Sequence, residues 1–79
     1  MNMEEVLLAT LEVSRDRLIT DLIRLNELCK SARDRVVHLG YISDGVINDM
    51  IDIVQKITHN NGCIDALTQL ERKLPEEKQ

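Results

Sequence analysis

Residues 58–62 read Thr58-His59-Asn60-Asn61-Gly62, and the number of helices in the chain turns on them. Asn and Gly readily adopt the left-handed conformation that closes a helix, Gly because it has no Cβ to clash. Read that way, the run ends one helix and frees the chain to begin another. Upstream, Val46, Met50, Ile53 and Ile57 form one apolar row at helical spacing, with Ile47, Ile51 and Val54 in the row beside it. Ser43 or Asp44 can accept the free amides where this segment starts. Downstream, Ile64, Leu67, Leu70 and Leu74 recur at steps of 3, 3 and 4. Asp65 lies in the first turn there, Arg72 and Lys73 in the last, and Pro75 follows as a stop. The pattern predicts helices over about 44–58 and 63–74, then a polar tail at 76–79.

Working back toward the N-terminus, the apolar positions are Leu7, Leu11, Leu18, Leu22, Leu25, Cys29, Ala32, Val36 and Leu39, with a polar gap at Ser14. Their steps alternate between 4 and 3, except for two consecutive fours around Leu18. A strict left-handed supercoil is not demanded by that spacing. No Gly or Pro interrupts residues 3–39, and Gly40 stands where a C-cap would. Glu4 and Glu5 suit the positive end of the helix dipole. One helix over about 3–39 is predicted, roughly 55 Å long at 1.5 Å per residue, with a break near Lys30–Ser31 as the alternative. The expected fold is all-α in one domain over 1–75. It has a long N-terminal helix followed by two shorter ones, as a three-helix bundle or helical hairpin.

Length carries the next inference. Two short helices folded beside the first would reach only its C-terminal half. The stripe of Leu7, Leu11, Leu18, Leu22 and Leu25 would then be the interface, since each large aliphatic left in water forgoes about 1.5–3 kcal/mol. A homodimer through the first helix, also docking on a larger protein, is the expected solution. The other is an opened Asn-Asn-Gly turn, with both short segments running end to end along the first helix.

Composition excludes several functions. The 79 residues carry 10 Lys+Arg against 14 Asp+Glu, a formal net charge of −4, which does not favour nucleic acid. The most basic stretch, Arg24, Lys30, Arg33 and Arg35, is interleaved with Glu27 and Asp34, and Tyr41 is the one aromatic residue. A DNA-binding repressor using Arg24, Arg33 and Arg35 remains an alternative, although a recognition helix opening Cys63-Ile64-Asp65-Ala66 is acidic and apolar at its start. No apolar run approaches the roughly 18 residues of a membrane span. With acidic Glu4 and Glu5 near its start, the chain is expected to be cytoplasmic.

Catalytic and metal chemistry find little footing. Nucleophile-elbow, Walker and dinucleotide-binding motifs are missing from the sequence. Cys29 and Cys63 belong to no C-x-x-C pair and are expected to be small buried hydrophobes. His59 and Cys63 are four apart, but Gly62 is expected to break the helix that would align them, so no metal site is expected. His38 suits the negative end of the first helix. Asp44, Asn48, Asp52 and Gln55 share a side of the second segment and read as a solvated face. Neither a catalytic residue nor a cofactor is expected.

Between Gly40 and Val54 the chain resembles the small sporulation-regulating aspartyl-phosphate phosphatases. That family is a helical hairpin whose second helix carries an S-Q-E-L-D signature. Here Asn48-Asp49-Met50-Ile51-Asp52 stands in its place, keeping the final Asp and the aliphatic before it while Ser, Gln and Glu are replaced. The resemblance covers about a fifth of the chain. It implies a response-regulator phosphatase acting through Asp52.

Overall fold

The computed structural model describes residues 2–74, which form two helices, α1 (Met3–Leu39) and α2 (Asp44–Lys73). They are 37 and 30 residues long and are joined by the short link Gly40 to Ser43. So short a link folds α2 back along α1, giving an antiparallel hairpin with Cα extents of 62 × 17 × 14 Å. Pro75 and the expected tail at 76–79 lie outside the described residues.

Each end has a chemical cause. Asn2 caps α1: its side chain accepts the Glu5 amide at 2.8 Å, while the Asn2 amide donates to the Glu5 carboxylate at 3.1 Å. This reciprocal pair satisfies two amides that a helix start leaves free. At the other end Gly40 has φ 83°, in the left-handed region, and its amide donates to the Val36 carbonyl. Ser43 then caps α2 by accepting the Val46 amide at 3.5 Å.

The three-helix expectation is overturned at residues 58–62, which are helical throughout. The polar groups there find helical partners instead of closing a turn. The Thr58 hydroxyl donates to the Val54 carbonyl at 2.9 Å, and Asn60 reaches across to Asp21. Gly62 shows no positive φ, so it costs only about 1 kcal/mol relative to Ala. Running straight on places Ile64, Leu67 and Leu74 against the N-terminal half of α1, and burying three aliphatics outweighs one glycine. The expected shortage of cover therefore does not arise. Of the two solutions weighed, the opened Asn-Asn-Gly segment is the one adopted.

The packing is a coiled-coil seam. On α1 the residues that are not exposed are Leu7, Leu11, Ser14, Leu18, Asp21, Leu25, Leu28 and Ala32, an unbroken 4-3 alternation. On α2 the same alternation runs Val46, Met50, Ile53, Ile57, Asn60, Ile64, Leu67 and Glu71 to Leu74 at the cap. Such a repeat holds two helices in contact along their length by supercoiling them left-handedly. The heptad that the sequence spacing left optional is thus present. It passes through Asp21 and Leu28 rather than through Leu22 and Cys29.

Candidate interaction surface

A hairpin of two helices buries one seam and leaves two flanks. In an antiparallel pair, the positions just after the seam residues 21, 28, 46 and 53 meet on one side, and those just before seam residues 18, 25, 50 and 57 meet on the other. The two flanks of this hairpin differ in chemistry.

One flank is charged from the middle of the rod toward the link, while toward the open end it carries Val6, Val13 and Leu70, which are exposed. An open hollow of about 420 Å³ lies between Arg24, Glu27, Leu28, Asp49, Asp52 and Lys56. A second, of about 540 Å³, is lined by Arg17, Asp21, Asp52, Lys56, His59 and Asn60. Both signs are present in each, so neither selects a ligand of one charge. Asp52 belongs to both hollows and is exposed.

The opposite flank is apolar. α1 contributes Leu22, Cys29 and Val36, with Ile19 beside them, and α2 contributes Ile47, Ile51 and Val54. Leu22 is 47% exposed, Val36 44%, Ile47 42% and Val54 47%. Against α2 lies a hollow of about 350 Å³ lined by Ile42, Ile47, Met50, Ile51, Val54 and Gln55. These residues cluster in the half of the rod nearest the link. Toward the open end the same flank is mostly polar, with Arg15, Asn61, Asp65 and Thr68, and Leu8, 44% exposed, is the aliphatic exception.

The five interface leucines expected from the sequence divide between seam and flank. Leu7 and Leu11 are 4% and 1% exposed, covered by α2 of the same chain. Leu18 and Leu25 are half-buried in the seam. Leu22 alone faces outward on the apolar flank. Sequence reading missed Ile47, Ile51 and Val54 as surface residues because their apolar character reads equally well as core. Their one-residue offset from Val46, Met50 and Ile53 was the available signal.

The remaining candidates fall outside any built site. Cys29 is exposed rather than buried, because it stands one position off the seam, and Cys63 is half-buried; both are free thiols. With Gly62 helical, His59 and Cys63 do align, Sγ to Nε2 3.7 Å. Among the described residues no third ligand joins them, and no group of three His, Cys, Asp or Glu could hold a metal ion. His38 turns back on α1, its Nδ1–H donating to the Asp34 carbonyl at 2.7 Å. The turn that a helix-turn-helix would need is part of α2. Among the described residues no helix is long and apolar enough to cross a membrane.

Comparison of the chain with protein-family models, curated proteins and solved structures gives no match in any of the three.

Proposed function

We propose that the chain is a small helical protein–protein interaction module, a regulator or assembly subunit that acts on a larger protein by helix packing. The single observation behind this is the division of its surface into one charged and one apolar flank, the apolar one displaying Leu22, Val36, Ile47 and Val54 to solvent. A lone soluble hairpin gains nothing from exposing a contiguous aliphatic strip, whereas another helix laid along it gains about 25 cal/mol for each Å² removed from water. Rigid helices joined by a short link present that strip ready-formed, which lowers the ordering cost of docking. The reading requires no catalytic residue and no cofactor.

Site-specific photo-crosslinking in cells of the host tests this. A benzophenone side chain placed at Ile51 is expected to give protein adducts, and one placed at Asp49 on the charged flank none. Equal adducts from both positions, or none from Ile51, would refute the proposal.

A second reading is favoured by one observation. The phosphatase resemblance implies a helical hairpin with its acidic residue on the second helix, and Asp52 is exposed on α2 of a hairpin, in hollows it shares with Arg24 and Lys56. Release of inorganic phosphate from a phosphorylated receiver domain, lost in Asp52→Ala with helicity unchanged, is the result this reading needs. Failure of the intact chain to release phosphate ends it.

A further inference from the structure

Resting on the interaction-module reading, we infer that the apolar flank is occupied by a second copy of this chain, the two hairpins lying side by side with their links at the same end as a four-helix bundle. The first support is area. A compact 9.1 kDa monomer exposes about 4,900 Å², whereas this one exposes 6088 Å². Its radius of gyration is 18.0 Å, against about 12 Å for a compact domain of this length. One side of a rod 62 Å long and 17 Å across offers on the order of 1,000 Å², above the roughly 800 Å² per partner that specific complexes bury. Pairing two such rods gives a bundle in which every helix has two neighbours and the apolar flank of each copy is covered.

Patch placement supplies the second support and fixes the direction. Leu22, Cys29, Val36, Ile47, Ile51 and Val54 carry no charge and lie in the link-proximal half. A twofold axis along the rod lays each patch wholly on its copy, an isologous contact in which like meets like. A twofold axis across the middle of the rod, which is needed to keep its full length in contact, would instead lay Ile47, Ile51 and Val54 near the polar Asp65 and Thr68 of the other copy. It would thereby bury unpaired polar groups against aliphatics.

Light scattering on the full chain at about 100 μM tests the occupant. Twice the 9.1 kDa chain mass is expected, falling to the single mass in Ile51→Glu and in Val54→Glu while helical circular dichroism is retained. A single mass for the unaltered chain, or an undiminished double mass in both variants, overturns the inference. Energy transfer tests direction, using chains in which Cys29 and Cys63 are serine and one dye is carried at Gly45→Cys or at Asn2→Cys. Strong transfer is expected when both copies are labelled at Gly45→Cys. Strong transfer confined to mixed Gly45→Cys and Asn2→Cys labels overturns the shared-end arrangement. A monomer that still forms crosslinks to another protein from Ile51 would sink the second copy and leave the interaction-module reading standing.

Discussion

Asn60 on α2 donates an amide hydrogen to the carboxylate of Asp21 on α1, Nδ2 to Oδ2 3.5 Å. Among the described residues this is the one side-chain hydrogen bond that ties the two helices together. Both residues occupy seam positions that an aliphatic would otherwise fill, and both are half-buried. A polar pair in such a seam fixes which layer faces which, because a slip by one heptad would leave Asp21 opposite Ile53 or Leu67 and Asn60 opposite Ser14 or Leu28, with no aligned partner for the carboxylate. Asn60→Ala is expected to lower stability by about 0.5–1.5 kcal/mol. The double change Asp21→Leu with Asn60→Leu should raise it instead, at the expense of a single register. Urea melts give the first two numbers. Broadened or doubled amide resonances in the double variant check the third, and a sharp single set would show that the pair does not set alignment.

Gly62 sits inside α2 with nothing within 4 Å of the place where a Cβ would stand. Gly62→Ala should therefore stabilise the hairpin by about 1 kcal/mol, through lower chain entropy when unfolded and better helix propensity. A thermal melt of the variant that moves downward would mean that this segment is not helical in solution.

Gly40 presents the opposite case at the end of α1. Its φ of 83° is the left-handed region, and a Cβ there costs about 1–2 kcal/mol even though the space around it is open. Gly40→Ala should lower the melting temperature while leaving helical content below the transition unchanged. An unchanged midpoint would contradict the assigned cap.

Leu11, at 1% exposure, is the most enclosed side chain of the seam. Leu11→Ala should cost about 2–5 kcal/mol, whereas Leu22→Ala on the exposed flank should cost the isolated hairpin less than about 1 kcal/mol. Chemical denaturation of both at a concentration where the chain is monomeric makes the comparison. Equal losses would show that α2 does not cover Leu11 as described.

Much of α1 is legible in the sequence alone. Its apolar spacing, its freedom from Gly and Pro, and Gly40 at its end mark Met3–Leu39 plainly. The reading of its start is incomplete: it takes Glu5 for its charge alone and misses the capping box that Glu5 forms with Asn2, although Asn followed three residues later by Glu is its signature. The length of α2 was misread because turn propensity at Asn60-Asn61-Gly62 is local, whereas the energy that overrides it is tertiary. Phase was the better guide, since the 4-3 alternation from Val46 to Ile57 continues through Asn60 to Ile64 and Leu67 without a slip. The same preference for apolar letters drew the α1 stripe through Leu22 and Cys29, when the true seam tolerates Asp21 because Asn60 answers it. The apolar flank was hidden for a related reason: Ile47, Ile51 and Val54 carry no mark that separates an outward aliphatic from an inward one.

A chain folded once on itself has a gradient built into its topology. Next to Gly40 the facing residues are a few positions apart in sequence, while at the far tips Leu7 faces the end of α2 with almost the whole polypeptide between. Closing the near rungs restricts little chain, and each further rung inherits the closure of the one before. The molecule is accordingly a zipper with its slider at the link, whose teeth engage outward from there and part first at the free tips.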